Sequence, residues 1–392
     1  MKSTLISTVG TSLLRPNLIG LPDDPTDNAW LQRQPASDRD ALRPERIEAL
    51  KTATVKQDAK AIAQALYRLP ATTRLCGAEI NSIADLIARG FAVEDARLCF
   101  CHSDTDDGRL VAEILRHYFT LRGHGVELLS IDDLQDRDAK RFRTKGLRHL
   151  TKTICRLIRT YGAEHCAINA TGGYKAQIAI GVMMGQALAV PVYYKHELFS
   201  EIIAFPPMPV SLDHDLWLRH SGLLNALDRS QEVLKDAEVI GDDWEEALET
   251  LVERVEIDGQ VFVELSPAGQ VFHESFKGRF ESERDQLLPP AFVGRKPPPS
   301  LNDHNWGHAR EAILRFMQRI TDEVPYVCAC RTCYWNKELG RTSLFRLTGD
   351  FIEATYSNGS WTVKITVETT ASTAGQRAAC IADLNQRLAD WL

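Results

Sequence analysis

The chain has 392 residues, 44% of them hydrophobic, with 46 Lys+Arg against 53 Asp+Glu and a net charge of −7. That length suits two or three domains with real cores, and that charge excludes a generally basic nucleic-acid coat. Its apolar stretches are too short and too interrupted to span a bilayer. Nine scattered cysteines give no disulfide framework and suit a reducing cytoplasm, the expected location.

Met1-Lys2-Ser3-Thr4 leads directly into the first expected strand, Thr4–Val9, unlike a secretory leader. Further strands are expected at Ala96–Cys101, Gly125–Ser130, Cys166–Asn169 and Val190–Tyr194. Helical patterns fill the gaps at Arg46–Tyr67, Asn81–Ala88, Leu110–Leu121, Arg148–Tyr161 and Ala176–Ala189. This alternation predicts an α/β domain over residues 1–210, a parallel sheet with helices on both faces. Residues 22–44, rich in Pro, Asp and Arg, read as a surface excursion.

Thr171-Gly172-Gly173-Tyr174-Lys175 sits at a strand-to-helix junction. Paired glycines let backbone approach a ligand, and the helix start beyond them offers N–H groups and a positive dipole end. The Walker spacing is absent, so this is not a P-loop. Such a turn also suits a tight connection with a solvated lysine, and its position decides. Gly10-Thr11-Ser12 and Ser103-Asp104-Thr105 follow strands too. In an open α/β sheet these loops gather where ligands bind, beyond the carboxyl ends of the strands.

Five motifs in order carry a resemblance that covers the whole first domain. They are Ser-Thr-Val-Gly-Thr-Ser (7–12), Gly-Ala-Glu-Ile-Asn-Ser (77–82), His-Ser-Asp-Thr-Asp-Asp-Gly (102–108), Phe-Arg-Thr-Lys-Gly-Leu (142–147) and Asn-Ala-Thr-Gly-Gly-Tyr-Lys (169–175). Together they resemble the CRISPR-associated Rossmann-fold (CARF) sensor domains. The resemblance implies a homodimer that binds a cyclic oligoadenylate, with tetra-adenylate the expected ring, across its two-fold axis. It implies a site lined by Gly10, Thr11, Ser12, Ser103, Thr105, Thr171, Gly172, Gly173 and Lys175. Some relatives slowly cut their activator, and Ser12 and Lys175 match the residues that do so. Binding without cleavage is the preferred expectation, since positioned donors alone do not make a catalyst. The only small molecule implied is this activator, with no cofactor and no metal.

Residues 211–274 read as a connector. Pro206-Pro207-Met208-Pro209 closes the first domain, and Asp242-Asp243-Trp244-Glu245-Glu246-Ala247-Leu248-Glu249 is dense in carboxylates. Val255–Leu265 is an expected hairpin turning at Asp258-Gly259, and Pro267 opens another helix. Helix, hairpin and helix resemble a winged-helix module. Its acidic surface argues against DNA, which needs Lys/Arg at phosphates, and the resemblance to sensor proteins implies instead a module that supports dimerisation. The carboxylate run reads as a solvated face, or as a dock for a basic protein such as a ribosomal one.

Residues 275–392 turn slightly basic, with 15 Lys+Arg against 13 Asp+Glu. After residue 210 no Arg-x4–6-His pair occurs, and after Gly241 no Asp/Glu-x-Lys, so two metal-dependent or helical nuclease types lack their signatures. The pair Arg159 and His165 has the first spacing but lies inside the sheet domain. Cys328, Cys330 and Cys333 invite zinc, with His304, His308 or Cys380 as a fourth ligand. No second cysteine pair follows, and buried strand thiols are the preferred reading.

A helix over Asn305–Glu323 is expected, then strands Tyr326–Cys330, Ser343–Leu347, Phe351–Tyr356 and Trp361–Glu368, then a helix Ala374–Trp391. Gly349-Asp350 and Asn358-Gly359 mark hairpin turns. This order, with Leu-Phe-Arg-Leu-x-Gly-Asp-Phe-Ile-Glu-Ala-x-Tyr (344–356), resembles the RelE toxins, an α+β fold. Those toxins cleave mRNA in the ribosomal A site without metal, orienting the 2′-hydroxyl and stabilising charge with cations. The resemblance implies Arg346, Tyr356 and Lys364 as catalytic and Arg331, Lys337 and Arg341 as phosphate contacts; Glu353 is a candidate base, though strand alternation could equally point it outward. It departs from the pattern at Val367-Glu368-Thr369-Thr370, which lacks the last-strand arginine, and lacks a following Tyr or His.

The expected whole is a homodimeric, cyclic-oligoadenylate-activated ribonuclease acting on ribosome-bound mRNA. Two alternatives stay open: a ligand-responsive winged-helix transcription regulator, and a ring nuclease whose C-terminal part only assembles.

Overall fold

The computed structural model describes residues 1–135, 137–196, 201–209, 211–229, 234–235, 244–302 and 304–392. The chain divides into two units, Met1–Ser211 and Leu212–Leu392. No helix among the described residues is long and apolar enough to cross a membrane.

The first unit is built on a six-stranded sheet of β1 (Lys2–Thr8), β2 (Ala92–Ser103), β3 (Val126–Ile131), β4 (Cys166–Asn169), β5 (Val192–Lys195) and β6 (Ile202–Phe205). Their spatial order is β3-β2-β1-β4-β5-β6. The first five run parallel, as the alternation of strands and helices predicts, and β6 joins β5 antiparallel. β1 is buried nearly end to end, as a strand covered on both faces must be. Register aligns the strand ends that matter. Ser7 of β1 lies beside Asn169 of β4, and Thr8 beside Cys101 of β2. The loops that follow these strands therefore leave the same sheet edge.

The helix expected over Arg46–Tyr67 is two, Pro44–Val55 and Ala59–Tyr67. Gln57 takes a left-handed φ of 52° between them, and the Asp58 side chain caps the second helix by accepting from Ala61 N at 3.0 Å. Residues 22–44 are more than an excursion over the surface. Trp30 and Leu42 sink into the core, and Asp38 is buried with a carboxylate oxygen accepting from Arg74 N at 2.8 Å.

The second unit holds two antiparallel sheets. β7 (Leu234–Lys235), β8 (Val252–Ile257) and β9 (Gln260–Leu265) order as β7-β9-β8. The β8–β9 hairpin turns at Asp258-Gly259, both at positive φ, the geometry that favours Asp-Gly in a two-residue loop. β10 (Val327–Asn336), β11 (Leu344–Thr348), β12 (Phe351–Ser357) and β13 (Thr362–Thr369) order as β10-β13-β12-β11. Helices Arg310–Glu323 and Ala374–Trp391 cover one face of this sheet, burying Ile313, Phe316, Met317 and Ile320 against Ile352, Val363 and Ile365.

The boundary expected after residue 274 falls inside helix Pro267–Leu287. Phe276 and Phe280 of that helix pack on Trp217 of helix His214–Arg229 and on Ala379 and Ala382 of the last helix. Residues on both sides of that boundary thus share one core. Edge strand β11 is blunted by a side chain: Asn385 receives the Phe345 amide at 2.9 Å and donates to the Phe345 carbonyl at 2.8 Å. A strand with one amide pair occupied in this way is a poorer template for further pairing.

Candidate functional site

Three loops at the carboxyl edge of the six-stranded sheet open onto a cleft of about 900 Å³. Gly10, Thr11, Ser12, Ser103, Thr171, Gly172 and Gly173 line it. Thr105 and Lys175 are not among its lining residues. Lys175 instead stands exposed at the start of helix Lys175–Ala187. Thr105 caps helix Asp106–Leu121, accepting from Gly108 N at 3.1 Å and bonding Ser103 Oγ at 2.9 Å.

The glycines are required by close approach. A Cβ on Gly10 would sit 2.7 Å from Gly173 N. On Gly172 it would sit 2.1 Å from Glu79 Oε1 and 2.7 Å from Thr8 O. Gly173 has a φ of +94°, which side-chain-bearing residues rarely adopt. Thr8 Oγ1 donates to Gly172 O at 2.5 Å and locks the two turns together. Glu79 lies beneath them, fully buried, with Oε1 accepting from Gly10 N at 2.8 Å and Oε2 without a hydrogen-bond partner. Burial raises its carboxyl above the ordinary value. The Gly10 amide is thereby used inside the protein rather than turned toward a ligand.

Thr171 is likewise engaged: its hydroxyl donates to Asn169 Oδ1 at 2.7 Å and accepts from Lys195 N at 3.1 Å. Asn169 in turn donates to Ser82 Oγ at 2.8 Å and Ser7 Oγ at 3.3 Å. This buried polar string holds the Gly172–Gly173 turn in position. The two neighbouring helix starts differ. Helix Asp106–Leu121 has its own Thr cap and two first-turn carboxylates, with Arg109 paired to Asp104 and Asp106. Helix Lys175–Ala187 has no side-chain cap and no first-turn acid. An anion is therefore better received at the second.

The cleft has further lining residues that sequence reading did not single out: Arg15, Arg74, Asn81, Asp85, Tyr194, Lys195 and His196. Arg15 pairs with Asp107 at 2.9 Å and is largely exposed. Lys195 is mostly buried and reaches Asp85 Oδ2 at 2.5 Å, while Arg89 holds Asp85 Oδ1 at 2.8 Å. Burial alone would raise the Asp85 carboxyl, but hydrogen bonds and charge from Lys195 and Arg89 bring it below its ordinary value. Pro35, Ser37 and Asp38 give the cleft a wall from the 22–44 segment. The signal for Lys195 was its place at the carboxyl end of a strand, the same rule that picks out the other three loops.

In the second unit, period-two alternation sorts the remaining candidates. Arg346 stands opposite Glu353, Glu353 opposite Thr366, and Thr366 opposite Arg331. These four share one row on the face opposite helices Arg310–Glu323 and Ala374–Trp391, where Arg346 Nε is buried. Lys364 lies two residues from Thr366 on the same face, and its Nζ donates to Glu353 Oε1 at 2.9 Å. Arg331 pairs with Glu368 at 3.2 Å. Tyr356 belongs to the other face, where it stacks on Phe316 with centroids 4.1 Å apart, and burial raises its phenol. Lys337 is exposed beside Glu338, in the connection from β10 to β11 that also holds Arg341. The expected catalytic set is therefore split: Arg331, Arg346 and Lys364 lie on the sheet face of Glu353, where Lys364 bonds it, and Tyr356 lies on the other.

The three cysteines occupy different surroundings. Cys330 is buried, its thiol pushed up to about 12 by burial, Cys328 is half-buried at a register slip, and Cys333 is exposed with Sγ 3.5 Å from Lys364 O. Among the described residues no three His, Cys, Asp or Glu side chains gather as a metal site. In the carboxylate run, Asp242 and Asp243 lie outside the described residues. Glu245 holds Arg219 by two hydrogen bonds, of 2.9 and 3.0 Å, and receives His220 at 2.8 Å. Those bonds bring the Glu245 carboxyl down to about 2. Glu249 accepts from Trp244 and pairs with Arg254. Both carboxylates are engaged within the chain, and Glu246 is exposed.

Residues 74–208 match the model of a family described as CRISPR-associated protein (Cas_APE2256). The matched stretch contains β2 to β6, Glu79, Asp85, the Thr171–Gly173 turn and Lys195, and ends before the second unit begins.

Proposed function

We propose that this chain, whose first unit carries a CRISPR-associated family segment, is a sensor of cyclic oligoadenylate that controls a ribonuclease in its second unit. The observation that carries the reading is the cleft of about 900 Å³ at the edge where Gly10–Ser12 and Thr171–Gly173 meet. A ring of phosphates and adenines needs a wide, polar-lined recess with backbone accessible at its floor. Paired glycines, an uncapped helix start and three cationic lining side chains supply that chemistry. Cyclic tetra-adenylate is the expected ring, shared by two copies of the chain across a two-fold axis.

The output follows from the face of the β10–β13 sheet that carries Glu353. Lys364 pairs there with Glu353, which is in register with Arg346 on one side and with Thr366 and Arg331 on the other. Glu353 can take a proton from a 2′-hydroxyl as the hydroxyl oxygen attacks the adjacent phosphate. The P–O5′ bond breaks and the leaving 5′-oxygen takes a proton from water, while the cations stabilise charge on the phosphate, a division of labour that needs no metal. The substrate proposed is mRNA on the ribosome, and the consequence translation arrest in CRISPR-linked defence. Activator binding shifts an existing equilibrium toward the cutting state.

Two other readings fit less well. The hairpin Val252–Leu265 carries Glu253, Glu256, Asp258 and Glu264 against Arg254, a poor surface for DNA phosphates. Ring cleavage by Ser12 and Lys175 is weakened because only Ser12 lines the cleft of a single chain. A translation reaction with defined mRNA, read by primer extension, tests the proposal. Cuts that require both cyclic tetra-adenylate and ribosomes support it. Intact transcripts under conditions of confirmed activator binding remove the ribonuclease and leave the sensor.

A further inference from the structure

The cleft presents an ion pair where an anion receptor needs a free cation. Lys195 ends β5 with its side chain 19% exposed, and its ammonium lies 2.5 Å from Asp85 Oδ2. Both residues line the cleft. Asp85 has a second cation, Arg89, on its other oxygen at 2.8 Å, in the next turn of the same helix. The lysine amide meanwhile donates to Thr171 Oγ1, which ties this strand end to the Gly172–Gly173 turn.

We propose that Lys195 is the phosphate-binding cation of the cleft, released to its ligand by Asp85 while Arg89 keeps that carboxylate paired. The proposal rests on the reading that the cleft binds a cyclic oligoadenylate. Removing one partner from a partly buried ion pair ordinarily strands a charge. Here it does not, because Arg89 remains on Asp85 and a phosphate replaces the carboxylate on Lys195. The exchange keeps every charge compensated and needs only rotation of a flexible lysine stem. The other lining cations are less suited: Arg15 is tied to Asp107 and 62% exposed, and Arg74 is likewise exposed, while Lys175 lies outside the lining. The pair also acts as a gate on affinity, since Asp85 competes with the ligand for the same ammonium.

That competition gives a test with opposite signs. Binding of cyclic tetra-adenylate to the full chain is measured by titration calorimetry for wild type, K195M, K195R and D85N, with thermal unfolding to confirm folding. K195M is expected to weaken binding about tenfold or more, the value of one charge-assisted contact. K195R recovers part of that loss, and D85N binds more tightly than wild type because the ammonium is freed. If the pair serves only to shape the cleft, D85N and K195M weaken binding alike, and that overturns the proposal. Wild-type affinity in K195M overturns it as well, leaving the reading of the cleft intact. No binding by wild type overturns both.

Discussion

The amide of Gly10 donates to Glu79 Oε1 at 2.8 Å, placing a fully buried carboxyl directly beneath the two glycine turns that floor the cleft. That carboxyl sets how closely Gly10 and Gly172 can pack. It also makes the floor of the cleft sensitive to one methyl group and to one proton.

The methyl group is added by Gly172→Ala. Its Cβ would fall 2.1 Å from Glu79 Oε1 and 2.7 Å from Thr8 O, too close to the backbone to be relieved by a rotamer. Overpacking of this kind costs about 1–3 kcal/mol. Urea unfolding of the full chain should show that loss, together with weaker cyclic tetra-adenylate binding. Gly181→Ala is the matched control. Its Cβ meets only Ala170 and Ile168 at 3.5 Å inside a helix, so it should be neutral or stabilise by up to about 1 kcal/mol.

The proton belongs to Glu79. Burial raises its carboxyl in the folded state above its unfolded value. The stability it contributes is therefore complete below the unfolded carboxyl range near 4.5, and is lost as pH rises toward the folded value. Glu79→Gln cannot ionise. The variant should gain stability over wild type as pH climbs from about 4.5, with the difference levelling off above the folded value. Parallel urea titrations between pH 4 and 8 check this. A difference that stays flat with pH means the carboxyl does not titrate in a raised range.

In the second unit, Asp383 is the buried hub. It accepts from Tyr326 Oη at 2.7 Å and Arg387 Nε at 2.9 Å, and pairs with Arg284. Asp383→Ala leaves two guanidinium groups and a buried phenol without their acceptor. A loss of about 3 kcal/mol or more is expected, visible as a lower urea midpoint. A loss under about 1 kcal/mol would show that the hub is easily replaced by water.

For the proposed ribonuclease, the two faces of one sheet separate the variants. Lys364→Met removes a cation from the face that carries Glu353 and should lower activator-dependent cleavage by about 100-fold or more. Tyr356→Phe keeps the ring stacked on Phe316 and should stay within about threefold of wild type. Single-turnover cleavage on ribosomes measures both. The reverse ranking would move the chemistry to the helix-covered face.

Much of this architecture was legible because it rests on period and punctuation. β4 was read to its terminal residues, Cys166 and Asn169, because Cys166-Ala167-Ile168 is an apolar run ended by a glycine turn. The last helix was read at Ala374–Trp391 because its apolar positions repeat on one face. The sequence left β6 unread, since four residues joining antiparallel to β5 carry no periodic signal of their own. The break in Arg46–Tyr67 hides in a left-handed Gln57, where sequence offers neither glycine nor proline. The placement of Tyr356 was available and missed. It has the parity of Ile352 and Ala354, which face the core, while Glu353 has the opposite parity. The pairing of Lys195 with Asp85 needed the tertiary structure, because it spans 110 residues of sequence.

The central claim is that the cleft of the first unit binds cyclic oligoadenylate. Hydrogen-exchange mass spectrometry on the full chain, with and without cyclic tetra-adenylate, tests it most directly. The account predicts slowed exchange in peptides containing Gly10–Ser12, Thr171–Lys175 and Val192–His196. Unchanged exchange in all three at saturating ligand, or protection confined to Leu212–Leu392, would contradict it.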